Sequence, residues 1–190
     1  MNVFKKILKG VFFLILGVIL TSFIVLRSWG FNEKEYPLKK DSPYVFPVKR
    51  ELKSLCIQGN NTLSTHSTGV YKYSYDILLP MGTEIYASRD GIVNETLKTV
   101  GSIGFFKGNF VSILHNDSTI AIYAHLKKNS IIVNVGDTIK TGQLIGYSGC
   151  NGMAIYPHLH IHILKNGQSI PFVFNNLKNE SGIPNFLHSY

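Results

Sequence analysis

From Leu52 onward the chain divides into short runs of β-branched and aromatic residues, punctuated by glycine. Runs at 84–87, 91–94, 109–114, 119–124, 131–135 and 143–147 predict strands. Turns are predicted at Pro80-Met81-Gly82, Arg89-Asp90-Gly91, His115-Asn116-Asp117, Gly136-Asp137, Thr141-Gly142 and Asn166-Gly167. Beyond the N-terminal segment no stretch sustains a helical apolar period. Many closely spaced strands predict an all-β, mainly antiparallel core, sandwich-like or barrel-like. The sharpest alternation is Tyr156-Pro157-His158-Leu159-His160-Ile161-His162-Ile163. Successive side chains on a strand point to opposite faces, so His158, His160 and His162 share one face and Leu159, Ile161 and Ile163 the other. Imidazole is the commonest metal-binding side chain, so this strand reads as one wall of a polar site backed by core.

The first 27 residues follow another pattern. Lys5, Lys6 and Lys9 precede an uncharged run over 10–26 that Arg27 closes. A basic segment before an apolar run of roughly 17 residues is signal-like, and is at the lower edge of what spans a bilayer. Neither Thr21-Ser22-Phe23 nor Ser28-Trp29-Gly30 makes a small-x-small cleavage site. The pattern predicts an uncleaved signal anchor, a single transmembrane helix over 1–27 with its lysines inside. A cleaved signal peptide is the alternative. Residues 28–50, with Pro37, Pro43, Pro47 and many charges, predict a tether. The folded domain is expected over 51–174 and a polar C-terminal tail over 175–190.

That division changes the meaning of the charge. The chain carries a formal +8, and without Lys5, Lys6, Lys9 and Arg27 the remainder carries +4. This is too mild for the dense cationic stripe of a nucleic-acid binder, though compatible with attraction to an anionic polymer. Cys56 and Cys150 are the only cysteines, and neither belongs to a C-x-x-C pair. A disulfide outside the cytoplasm and two reduced, buried thiols both fit that usage.

The other histidines sort by context. His66 stands in the small-residue loop Ser64-Thr65-His66-Ser67-Thr68-Gly69. Asp76 enters the apolar strand Tyr73-Ser74-Tyr75-Asp76-Ile77-Leu78, where a carboxylate needs a hydrogen-bond partner or a cation, or must point outward. His125 ends the strand Tyr123-Ala124-His125-Leu126. His115 lies beside Asn116-Asp117 and reads as a solvated turn residue. His188 belongs to the polar tail. An insertion over 99–108 carries Phe105 and Phe106 and reads as a loop beside a groove.

Taken in order, these features resemble the lysostaphin-like, LytM-type zinc peptidases that cut peptidoglycan. The likeness covers 58–174. It rests on His66 before Asp76, Met81-Gly82-Thr83-Glu84-Ile85-Tyr86-Ala87, Asp90-Gly91-Ile92-Val93, Tyr123-Ala124-His125-Leu126, the run from Gly136-Asp137-Thr138 to Gly146, and Pro157-His158-Leu159-His160. The resemblance implies a LytM-type domain with a groove and His66, Asp76 and His160 as zinc ligands, a fourth position staying open for water or substrate. It implies His125 and His158 as catalytic histidines that orient or deprotonate that water. It further implies a zinc-dependent endopeptidase acting on peptidoglycan stems or cross-bridges, held by its anchor on the outer side of a bacterial cytoplasmic membrane, with an activator protein as a candidate partner. Departures from the family pattern are the ten-residue step from His66 to Asp76, where the familiar form has four, His162, where the family more often has aromatic or acidic surroundings, and Cys150 in the glycine loop Gly149-Cys150-Asn151-Gly152 beside the expected groove. His162 reads as exposed, a supporting partner behind the metal being the alternative. Two other functions compete: a catalytically silent regulator of other wall hydrolases, and a membrane-anchored adaptor with a lipoyl-like barrel.

Overall fold

The structure is a computed structural model that describes residues 3–28, 32–49, 54–59, 65–98 and 108–184. Helix α1 spans Val3–Ser28. Among the described residues ten strands follow: β1 (Leu55–Gln58), β2 (Tyr75–Leu78), β3 (Glu84–Tyr86), β4 (Gly91–Leu97), β5 (Asn109–Leu114), β6 (Thr119–Leu126), β7 (Thr138–Ile139), β8 (Leu144–Tyr147), β9 (His158–Lys165) and β10 (Gln168–Ser169). The main sheet has eight strands in the order β1-β2-β9-β6-β5-β4-β7, with β10 paired to β9, and β3 pairs with β8 in a second, two-stranded sheet. Every pairing is antiparallel, as the short-strand pattern predicts. The β9–β10 hairpin turns on Asn166 (φ 50°) and Gly167 (φ 74°), the two left-handed residues that a tight turn matched to strand twist requires.

One face of the main sheet is dry. Tyr75, Ile77, Val111, Ile113, Ala121, Tyr123, Leu159, Ile161 and Ile163 point into a single apolar core. The run over 131–135 forms no ladder. Ile131 and Val133 are buried all the same, and the Ile132 N–H donates to the Ile145 carbonyl at 3.2 Å.

Several boundaries differ from the sequence reading. The expected tether is partly packed: Tyr44, Phe46 and Val48 belong to the core, with Phe46 edge-on to Phe174 at 5.2 Å and Tyr44 edge-on to Phe172 at 5.7 Å. Each burial of this kind is worth about 1.5–3 kcal/mol, more than enough to override the extended bias of nearby prolines. The tail expected from 175 is packed as far as Ile183, because Leu177 and Ile183 are buried and Phe174 N–H donates to Gly182 O at 2.8 Å. Among the described residues no helix is long and apolar enough to cross a membrane, and the expected transmembrane span is not borne out. The side chains described in α1, over 5–22, include Lys5, Lys6 and Lys9. The Phe105–Phe106 loop and His188 lie outside the described residues.

Candidate metal centre

Asp76 on β2 lies directly opposite His160 on β9. The shared pleat places both on the sheet's open face while Tyr75, Ile77, Leu159 and Ile161 enter the core. His160 Nδ1 is 2.8 Å from Asp76 Oδ1. His66 reaches the same carboxylate from the other side, its Nε2 being 3.4 Å from Asp76 Oδ2. Between them the chain makes a turn and the 3-10 segment Gly69–Tyr71, so the long His66–Asp76 step folds back on itself. One ligand atom from each of His66, Asp76 and His160 can be chosen so that all lie within 4.8 Å of one another, and all three residues are buried.

The hydrogen bonds test whether a cation fits. A carbonyl oxygen only accepts, so His66 Nδ1 carries the proton it donates to Gly59 O at 3.0 Å. That leaves Nε2 with a bare lone pair, buried and without a hydrogen-bond partner, facing a carboxylate oxygen. Two buried acceptors set against each other cost free energy until something positive lies between them. Two nitrogens and one carboxylate oxygen suit zinc, and the cluster fits it.

Beside the cluster stand His125 and His158. Strict alternation along β6 would send His125 into the core with Tyr123. Instead the β5–β6 register slips between Asn109 and Phe110, and His125 takes φ 63°, a left-handed backbone that non-glycine residues adopt at a cost of about 1–3 kcal/mol. The irregularity turns the imidazole to the open face, 4.6 Å from the His158 ring and 5.8 Å from that of His160, between centroids. Asn151 holds it there: its carbonyl accepts from His125 Nδ1 at 2.8 Å, and its side chain bonds Asn109 N–H and the Leu126 carbonyl. Gly149 is required nearby, since a Cβ would come within 2.6 Å of Lys127 N. His158 donates Nδ1–H to Tyr156 O at 2.9 Å and presents Nε2 at 3.7 Å from Asp76 Oδ1. His66, His125 and His158 therefore share one device, a proton pinned on Nδ1 by a backbone carbonyl and a bare Nε2 aimed into the site.

The electrostatics agree with that arrangement. Without a cation, burial would raise the Asp76 carboxyl, but positive charge on His66 and a hydrogen bond donated by His160 Nδ1 outweigh it and hold it well below the usual carboxylate range; a bound cation would take the place of both. Burial, followed by the neighbouring His158 and His160, pushes His125 down to about 4, so it is neutral and proton-accepting near neutral pH. The cluster opens on a cleft of about 590 Å³ lined on its apolar side by Val70, Tyr71, Met153, Ile155 and Tyr156.

Two sequence expectations need correction, and one open reading is decided. His162 is not exposed: it is 3% accessible, and its Nδ1 is 3.0 Å from His160 Nε2. It faces the site because β9 keeps its alternation, and the wall of the cleft covers it. His115 is not solvated either, being buried with Nδ1 donating to Asp90 O at 2.7 Å. Arg89 bonds Asp117 and Asn116, so the turn folds down over the imidazole instead of standing in water. Of the two readings left open for the cysteines, the reduced one holds, since Cys56 and Cys150 form no disulfide. Two contributors were missed altogether. Asn151 is signalled in sequence only by its place between Gly149 and Gly152, and Tyr71 lies in the long step from His66 to Asp76, edge-on to His160 and His162 at 5.5 Å from each.

A family model, Peptidase family M23, matches residues 70–171, more than half of the chain. This chain belongs to that family. The match begins after His66, so the place of His66 rests on the geometry above. M23 peptidases are zinc-dependent, in agreement with the donor set. The chain is similar to the peptidoglycan DD-endopeptidases ShyC and ShyA of Vibrio cholerae, 39% identical over 92 residues and 34% over 109. Those alignments cover 48% and 57% of this chain but only 20% and 24% of the relatives, so the chain matches about a quarter or less of their length. Among solved structures, the catalytic domain of the prophage-encoded M23 protein EnpA from Enterococcus faecalis superposes with a TM-score of 0.53 at 27% identity, covering 66% of this chain and 92% of that one. A zinc-containing peptidase from Vibrio cholerae gives a TM-score of 0.54 at 27% identity, over 67% and 38% of the two chains.

Proposed function

We propose that this M23 domain is a zinc-dependent endopeptidase that hydrolyses peptide bonds in the stems or cross-bridges of peptidoglycan. The observation that carries the reading is the combination of a buried His66–Asp76–His160 donor set with two further histidines whose bare nitrogens face the same cleft. The names of the relatives support the substrate class. Bound by His66, Asp76 and His160, zinc would supply a Lewis acid that polarises the scissile carbonyl and acidifies a water. Nε2 of His125 is placed to take the proton of the attacking water and return it to the leaving amine nitrogen. Nε2 of His158, bare like that of His125, offers the attacking water a second hydrogen-bond acceptor and helps to orient it. The apolar rim of the cleft excludes bulk water and strengthens both contacts.

The proposal also puts the domain in the bacterial cell envelope, outside the cytoplasm. Apolar side chains of α1 from Ile7 to Leu20 are exposed, which supports attachment to a membrane. Incubating the zinc-loaded chain with purified sacculi and identifying the released peptides by mass spectrometry tests the activity. New peptide termini that vanish with Asp76→Ala are expected. Absence of both product and bound zinc would count for the regulatory reading, whereas bound zinc without product would point to a missing activator or a different substrate.

A further inference from the structure

His160 differs from the other histidines of the centre. His66, His125 and His158 each have the proton fixed on Nδ1 by a backbone carbonyl, at 3.0, 2.8 and 2.9 Å. Among the described residues no backbone carbonyl bonds a ring nitrogen of His160. Its Nδ1 faces Asp76 at 2.8 Å, and its Nε2 faces His162 Nδ1 at 3.0 Å. A neutral imidazole carries one proton. If Nδ1 joins Asp76 in holding a cation, the proton must sit on Nε2, and Nε2–H then needs an acceptor in a buried place.

We infer that His162 is a positioning residue for the metal, accepting the Nε2–H of His160 on its own Nδ1 and so fixing which nitrogen of His160 faces the site. The inference rests on the zinc reading above. Geometry supports it from two sides. His162 projects from the same face of β9 two residues on, so the two rings meet without any backbone distortion, 5.1 Å between centroids. The Tyr71 ring packs edge-on against both imidazoles and restricts their rotation. His162 sits opposite Ile122 on β6, so an apolar side chain of similar size would fit the space but would leave Nε2–H of His160 unpaired. That unpaired donor would favour the wrong tautomer, with the proton on Nδ1 where the cation belongs. Partners of this kind behind a ligating histidine typically change metal affinity about 10- to 100-fold.

The test compares the full chain with His162→Leu and His162→Asn by competition for zinc against a chromophoric chelator. Asn Oδ1 hangs from the same atom as His Nδ1 and keeps an acceptor there, whereas Leu fills volume only. His162→Leu is expected to weaken zinc binding about 10- to 100-fold, with His162→Asn regaining most of the loss. A Leu variant that binds like the parent, or an Asn variant as weak as Leu, would overturn the inference. Should the Leu variant fail to fold by circular dichroism, nitrogen NMR of the zinc-loaded parent decides. A proton on His160 Nε2, with scalar coupling across the hydrogen bond to His162 Nδ1, is expected; a proton on Nδ1 of His160 would overturn it. Failure of the parent itself to bind zinc would instead remove the metal reading on which the inference stands.

Discussion

The two faces of β9 obey opposite rules although both are out of water. Leu159, Ile161 and Ile163 are fully buried, and His158, His160 and His162 are between 3% and 8% accessible. On the core face burial is its own stabilisation, since apolar area leaves water and nothing is left unpaired. On the open face each imidazole must be matched atom by atom, and His66 Nε2 is still left without a partner. Equal burial therefore has different meanings on the two sides: one face holds the domain together, and the other stores an unmet demand for a cation.

Substitutions at the open face should abolish function while sparing the fold. Asp76→Ala removes the carboxylate between His66 and His160, and loss of bound zinc with hydrolysis at background is expected, measured by metal analysis and release of murein peptides. Thermal unfolding of the metal-free variant, measured beside the metal-free parent, separates loss of zinc from loss of the fold. His125→Gln keeps the metal donors and removes the proton acceptor. Its kcat is expected to fall about 10²- to 10⁴-fold with zinc retained, and a smaller fall would deny His125 the general-base role.

On the core face the effects reverse. Ile161→Ala should cost about 2–5 kcal/mol in denaturant unfolding by leaving a cavity, while the folded fraction binds zinc as before. Weakened zinc binding at constant fold would mean that the two faces are mechanically coupled through β9.

The smallest effect concerns a buried histidine away from the metal. Burial pushes His115 below its ordinary 6.5, ahead of the opposing hydrogen bond to Asp90 O and the added depression from Arg89. Between the lowered value and 6.5 the unfolded chain binds more protons than the folded one, so stability rises with pH across that window. Stability is full above 6.5 and declines as pH falls below it. Denaturant unfolding at about pH 7 and about pH 5 should show this decline in the parent, and a shallower one in His115→Gln.

Local pattern made much of this legible. Alternation along β9 is a period-two property of the chain, so the division between Leu159–Ile161–Ile163 and the three histidines needs no tertiary information. The same holds for the antiparallel strands and for the Asn166–Gly167 turn. The grouping of His66, Asp76, His125, His158 and His160 was reached through the order of short motifs, and the fold brings those residues to one cleft.

Other features depend on contacts between distant segments. Asp76 meets His160 because β2 pairs with β9, across 84 residues of sequence. His125 reaches the open face only through the irregularity that Asn151 and Asn109 hold in place, against the alternation of its own strand. The tether became part of the core because Tyr44 and Phe46 found Phe172 and Phe174. By itself, then, the sequence determined the strands, the side of β9 on which chemistry belongs and the residue types for a zinc site, because those follow from neighbours one and two positions away. Only the tertiary structure decided which nitrogen of each histidine faces the metal and that His162 stands behind His160, since protons are placed by whichever acceptor the fold brings within about 3 Å.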